Sequence, residues 1–547
     1  MAAAVAGDHD VSVAGADAGV PSREQVRVAT VAGEPLEPTG QGQPVALRDP
    51  PGPADVPPGE LVVALAGGLA GQLGQPLDAL GGDAHARRLS AVSHRRSVST
   101  SRRPRGGAVF VGVPEPPHVS DDVSVRGSPR RGLAAATFGF FVGFAGVVVY
   151  GPAAGEFERA MGLSGVTLGL LVGAPNLLGS LVRIPFGAWT DEVGARRPFL
   201  VLLGLSIVGM AGLSAILVGF APGGLTMELY PLVFLFGALS GCGIGTFAVG
   251  SAQTSYWYPV DRQGTALAIY AGLGNSSPGV FTILIPIAIA ALGLTTTYVV
   301  WLAFLVVGTV IYALVAVDPY SFQLREQGLE PGRARERAEA LGQELFPGGD
   351  TAASIREAAS LPRSWALVAM YFVSFGGFLA LTVWLPSYWT SLHGLETRHA
   401  GVLTAVGFVL LATFVRIPGG ALGDRFGGER TAIASFAVVG LGAVLLIVTR
   451  DVGVAALGMV TLAVGVGVAN AAVFQLLPHY VPEAVGGASG LVGGLGAFGG
   501  FVVPPLLGLF VDVHGTAGYA TGFVVYLGLG TVGVLLASAL YLTVDRG

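Results

Sequence analysis

Beyond residue 133 the chain alternates between long apolar blocks and short polar breaks. Twelve blocks stand out, at roughly 134–152, 165–189, 199–219, 229–258, 264–291, 295–316, 365–390, 400–423, 431–449, 453–480, 487–511 and 517–541. Each is long enough to cross a bilayer as a helix, for which about 20 residues suffice. The apolar runs are continuous rather than alternating with period two, which argues for helices and against the strands of a membrane barrel. A lipid-facing backbone must also satisfy its own hydrogen bonds, and a helix does so within one segment. The pattern predicts an all-α membrane protein with twelve transmembrane helices.

Two stretches depart from that pattern. Residues 1–125 are rich in Gly, Ala, Pro, Ser and charge, with little periodicity, and are expected to be a disordered N-terminal extension. Within them LVVALAGGLAGQLG, at 61–74, is too short and glycine-rich for a span, and HRRSVSTSRRPRGG, at 94–107, reads as a solvated basic tail. Residues 318–363, including EQGLEPGRARERAEALGQEL, are polar and predict a connector carrying one amphipathic helix. It joins an N-terminal six-helix half, 126–317, to a C-terminal half, 364–547.

Composition agrees with this picture: 52% of residues are apolar and 12% charged, which disfavours a soluble core of this size. The one cysteine, Cys242, lies in an apolar run, so no internal disulfide can form. A net charge of −5 without a concentrated basic domain gives no support to nucleic-acid binding. All 30 basic residues are arginine, and their placement gives an orientation. Arg126, Arg130, Arg131, Arg196, Arg197, Arg262, the connector arginines, Arg425, Arg430 and Arg546 fall on one side, against Arg159, Arg398 and Arg450 on the other. The positive-inside rule then makes both termini and the connector cytoplasmic, in a multi-pass protein of the plasma membrane.

The halves repeat each other. RIPFGAWTD at 183–191 returns as RIPGGALGD at 416–424, six of nine letters in place. GCGIGTFAVGSAQ at 241–253 matches AVGVGVANAAVFQ at 463–475 through Gly243/Gly465, Gly245/Gly467 and Gln253/Gln475, and AGLGN at 271–275 answers GGLGA at 493–497. Two pseudo-symmetric six-helix halves describe a parallel-repeat transporter whose site lies near the midplane between them.

Arg183 and Arg416 each stand eight residues before a helix-end aspartate, about 12 Å along the axis. That is too deep for easy snorkelling, and no Asp or Glu lies in the middle of any apolar block to pair with them. A small anion carried as cargo supplies the missing charge: a guanidinium is planar, stays protonated and offers N–H donors in a fixed fork that suits a planar oxyanion. Asn275, an amide within a spanning segment, can assist without adding charge. Glycines at helical spacing in the fifth and eleventh helices, among them Gly272, Gly274, Gly494 and Gly496, permit close packing that can also slide.

GAWTDEVGARR at 187–197 and GALGDRFGGER at 420–430 resemble the loop motif of the major facilitator superfamily, Gly-x-x-x-Asp-Arg-x-Gly-Arg-Arg, in both halves. The resemblance covers about 134–541 and implies that fold. It also implies cytoplasmic charge pairing, with Asp191 and Asp424 as acceptors and Arg196, Arg197, Arg425 and Arg430 as the surrounding cations. Within the superfamily the sequence is similar to the nitrate/nitrite porter family: one arginine in each of the second and eighth helices, AGLGNSSPGV, and GLVGGLGAFGG. That likeness implies a nitrate or nitrite ion between Arg183 and Arg416, assisted by Asn275, sandwiched by Phe247 and Phe474, and faced by Tyr371. Here Asn275 is followed by Ser276, Ser277 and Pro278, where the family commonly runs Asn-x-Gly-Val; the proline removes a backbone donor and is expected to kink the fifth helix.

The expected histidines and acids of proton coupling are missing from the spans, so nitrate/nitrite antiport ranks above proton-coupled uptake or carriage of a small organic anion. No nucleophile, base and metal constellation and no nucleotide loop is present, so an enzyme is not expected, nor is any cofactor or metal. The expected functional unit is a monomer in the lipid bilayer.

Overall fold

Helix follows helix in the computed structural model, which describes residues 124–221, 223–348 and 351–544; side chains are described throughout these except at 483, 543 and 544. The extension predicted over 1–125, with its glycine-rich and basic runs, lies outside the described residues except for its last two. Twelve spans follow: Pro129–Met161, Gly165–Val193, Arg196–Phe220, Met227–Trp257, Val260–Leu292, Leu294–Val315, Pro362–His393, Thr397–Phe426, Gly428–Val448, Val452–Tyr480, Val485–Thr521 and Val524–Leu542. Among the described residues there is no strand, and the predicted all-helical membrane class holds.

Local chemistry starts and stops these helices. Ser128 precedes Pro129 and accepts from the Arg131 N–H, so the first span begins before its apolar block. Ser164 and Asp451 cap the second and tenth spans in the same way. The motif loops after the second and eighth spans turn on Gly194 at φ 85° and Gly427 at φ 90°, a region that a side chain would strain.

The spans bend where the sequence interrupts their ladders. Helix Gly165–Leu181 gives way at Val182 to Arg183–Val193, and helix Leu411–Phe414 gives way at Val415 to Arg416–Phe426. The cause is shared: Pro185 and Pro418 have no N–H to offer the carbonyls four residues earlier. The fifth span divides at Ser276, with Pro278 in the first turn of its second segment, as the departure from the family pattern predicted. The seventh and eighth spans carry π-helical turns at Phe372–Gly376 and Ala405–Leu410.

The connector differs from expectation. Instead of one helix it forms three, Tyr320–Glu326, Pro331–Ala340 and Thr351–Ser360, because Gly328 at φ 90°, Pro331 and the Pro347–Gly348 pair interrupt it. Leu324, Ala334 and Ala338 bury a small core of their own, and Gln343 ties it to Ser321 through hydrogen bonds of 3.0 and 2.9 Å.

The two halves meet unevenly. On the face away from the connector, the outer part of the second span crosses the eleventh backbone to backbone: a Cβ on Gly169 would stand 2.5 Å from the Pro504 carbonyl oxygen. The fifth and eighth spans close likewise, where a Cβ on Gly401 would stand 2.6 Å from the Thr282 oxygen, and the first and seventh where Gly151 meets Val383. On the connector face the seam is thinner. There helix Thr351–Ser360 bridges the halves: the Thr351 hydroxyl donates to Asp191 at 3.1 Å, and Ser354 Oγ accepts from the Gly487 N–H at 3.1 Å.

Candidate functional site

The helix breaks at Val182 and Val415 set both arginines on the inner wall where the halves face each other. Arg183 is 1% exposed, the only charged side chain so deeply buried among the described residues. Its guanidinium carbon lies 5.1 Å from the Phe247 ring centre and 5.2 Å from that of Phe375. Arg416, half-buried, lies 5.8 Å from the same Phe375 ring, so the two guanidinium carbons stand at most about 11 Å apart, the sum of the two distances to that ring. Each cation is within the electrostatic reach of the other.

One donor of Arg183 is used: NH1 donates to the Gly493 carbonyl at 3.1 Å, across the seam to the eleventh span. Its Nε and NH2 have no partner. A buried cation with open donors and no carboxylate beside it is unfavourable unless something anionic arrives. No Asp, Glu or His is fully buried among the described residues, so the compensating charge is not internal.

Aromatic rings shape the space. Tyr371 stacks on Phe375 at 5.1 Å and meets Phe474 edge-on at 4.9 Å; its hydroxyl is within reach of both guanidinium charges. Phe247 stacks toward Phe375 at 6.4 Å and packs on Phe140 at 5.4 Å. The structure therefore brings Arg183, Arg416, Phe247, Tyr371 and Phe474 together. It adds Phe375, whose ring both guanidinium groups approach and which the sequence reading passed over. The signal was its place one helical turn after Tyr371 in MYFVSFGGF, with the π turn at 372–376 adding to that helix's bend.

Asn275 is buried at the break of the fifth span, but its amide donates to the Ala271 carbonyl at 2.8 Å and its oxygen is unpartnered. One amide hydrogen remains for a ligand. Three of the four glycines serve close approach: a Cβ on Gly274 would fall 1.9 Å from Phe140, on Gly494 2.7 Å from Ile184, and on Gly496 2.7 Å from Tyr371, while Gly272 faces open space.

The charge pairing that the loop motif implied is not what forms. Asp191 accepts from the Tyr256 hydroxyl at 2.6 Å and from Thr351, and Asp424 from the Gln475 amide at 3.1 Å. Neither carboxylate makes an ion pair among the described residues. The position after Asp191 holds Glu192, not the motif's arginine, and the nearby cations turn elsewhere. Arg196 donates to the Ala313 carbonyl, Arg197 pairs with Glu326 at 2.5 Å, Arg425 lies over Phe426, and Arg430 bonds the Tyr541 hydroxyl at 2.7 Å. Asp318 takes up the start of the third span instead, accepting from the Ala195 and Arg196 N–H groups; burial raises its carboxyl above the usual range and these bonds draw it back.

Two related six-helix bundles around a paired cationic site define a secondary transporter rather than an enzyme. The family model described as Major Facilitator Superfamily matches residues 136–504 and 397–547. Among curated proteins, "Nitrite extrusion protein" of Bacillus subtilis (strain 168) is 30% identical over 361 residues, covering 66% of this chain and 82% of that one. "Probable nitrate/nitrite transporter NarK2" of Mycobacterium tuberculosis (strain ATCC 25618 / H37Rv) is 31% identical, covering 70% and 89%. Among solved structures, the partially occluded inward-open xylose transporter XylE from E. coli superposes with a TM-score of 0.57 at 14% identity, over 76% of this chain and 99% of that one, a likeness of fold. The chain belongs to the Major Facilitator Superfamily and, within it, to the nitrate/nitrite porter family.

Proposed function

We propose that this protein carries nitrate and nitrite across the plasma membrane by alternating access, exchanging one ion for the other. The observation that carries the reading is the Arg183 guanidinium, buried with two open nitrogens, sharing the Phe375 ring with Arg416 and lacking any fully buried carboxylate beside it. A planar trigonal oxyanion suits this pair: its oxygens can accept from both forks, and the rings of Phe247, Phe375 and Phe474 supply flat apolar surface for its faces. Tyr371 and the remaining amide hydrogen of Asn275 are the neutral donors that complete the cradle.

Exchange is favoured over proton coupling because the spans bury no Asp, Glu or His among the described residues. Two positive charges without a substrate resist crossing the closed state, so an empty carrier returns slowly and a loaded one quickly. The relatives' names point the same way, one being "Nitrite extrusion protein" and another "Probable nitrate/nitrite antiporter NarK1" of Thermus thermophilus. The arginine distribution along the loops supports a cytoplasmic connector face.

Counterflow in proteoliposomes tests this. Vesicles loaded with nitrite are expected to take up labelled nitrate, empty vesicles are not, and an imposed pH gradient is expected to leave the rate unchanged. Proton-driven uptake into empty vesicles contradicts exchange. Equal inhibition by small carboxylates contradicts the choice of ion.

A further inference from the structure

Asp512 stands in the last turn of helix Gly499–His514, the outer segment of the eleventh span. A carboxylate there opposes the dipole of its own helix. Its partner is in the other half of the molecule: Oδ1 accepts from the Gly165 N–H at 2.5 Å and Oδ2 from the Val166 N–H at 2.9 Å. These are two of the first N–H groups of the second span, which no turn of that helix can satisfy, and Ser164 Oγ already takes the Thr167 N–H. One carboxylate from the C-terminal half thus completes the cap of a helix in the N-terminal half.

The bond sits at the end of the tightest crossing between the halves. Gly165, Gly169 and Gly173 recur every four residues on one face of the second span, against Gly500, Pro504 and Gly508 on the eleventh. A Cβ on Gly508 would fall 1.9 Å from the Gly165 carbonyl oxygen, and one on Gly165 2.3 Å from that of Gly508. The backbones therefore touch only while these helix ends are together, and the cap exists only in that state. The same second span carries Arg183 one helix segment further on.

We propose that Asp512 is a positioning residue of the transport cycle: it latches the second span to the eleventh on the face away from the connector, and release of this cap accompanies opening of the ion site to that face. The latch is half in solvent, so it weights the balance between the two states without locking it. Ion chemistry plays no part in it, and the labelling that tests it is read without any anion present.

The test uses the purified full-length protein in detergent, with Cys242→Ala removing the native thiol and Leu168→Cys, a buried position one turn after Gly165, as reporter. Maleimide modification is followed over time in the monodisperse fraction. Asp512→Asn, nearly isosteric but uncharged, is expected to speed labelling about fivefold, a modest shift of a two-state equilibrium. Gly508→Ala, which wedges the backbones apart without touching the charge, is expected to speed it further. Dialysis against labelled nitrate is expected to give Asp512→Asn the wild-type affinity at the arginines. Labelling of Asp512→Asn at the wild-type rate, with Gly508→Ala faster, overturns the latch; wild-type rates in both overturn the seam as a gate. Failure of nitrate to bind the parent leaves the labelling result standing and counts against the proposed ion instead.

Discussion

A guanidinium in the middle of a spanning helix is unfavourable by about 2.5–3.5 kcal/mol even on the lenient insertion scale. Arg183 bears that cost without a carboxylate, beside a second cation. Substituting either arginine by alanine is therefore expected to remove a repulsion from the empty protein while abolishing exchange, so each variant should melt no lower than wild type. Lysine is expected to rescue poorly, below about a tenth of wild-type turnover, because one ammonium cannot reproduce the fork. Phe375 touches both cations through its ring face, and a cation over an aromatic face is worth about 0.5–2 kcal/mol. Phe375→Ala is expected to raise the KM for nitrate several-fold, read from the concentration dependence of counterflow.

At the scale of the element, the repeated Arg-Ile-Pro triplet solves a placement problem. The proline breaks the ladder one turn before itself, and the arginine at the break leaves its helix toward the aromatic rings of the site, Arg183 reaching across to the other half. That site was legible because charge and proline stand out in an apolar run and because the triplet recurs at the same depth in both halves. Phe375 was not legible for the opposite reason: one phenylalanine among many in a buried helix has no contrast, and only the three-dimensional approach of two cations singles it out. Thr351 and Asp512 were hidden differently, since each acts on a partner 160 or 346 residues away and reads in sequence as an ordinary solvated helix end. The glycines show how composition misleads by averaging. Gly274→Ala is expected to destabilise by about 1–3 kcal/mol, because its Cβ meets Phe140 at 1.9 Å, while Gly272→Ala, facing open space, is expected to be neutral. Thermal melting of the two purified variants checks both at once.

For the whole molecule, the uneven seam sets the mechanics. Three pairs of spans close the face away from the connector, while the connector face is bridged by helix Thr351–Ser360 through hydroxyl bonds to Asp191 and to the Gly487 backbone. Neutral hydroxyl bonds to Asp191 stand where the superfamily motif led one to expect ion pairs, so gating on that face is expected to be weakly salt-dependent. Exchange rates measured from 50 to 500 mM of an inert salt should vary less than about twofold; a steep fall would return the loop arginines to the gate. With no fully buried acid or histidine among the described residues, exchange is also expected to stay flat between about pH 6 and 8, since an arginine does not titrate there. The two-arginine site is tested most simply by equilibrium dialysis of labelled nitrate against the purified full-length protein, wild type beside Arg183→Ala and Arg416→Ala. One ion per chain in the wild type, displaced by nitrite and absent from both folded variants, is the expected result. Nitrate bound with wild-type affinity by either variant contradicts the two-arginine site.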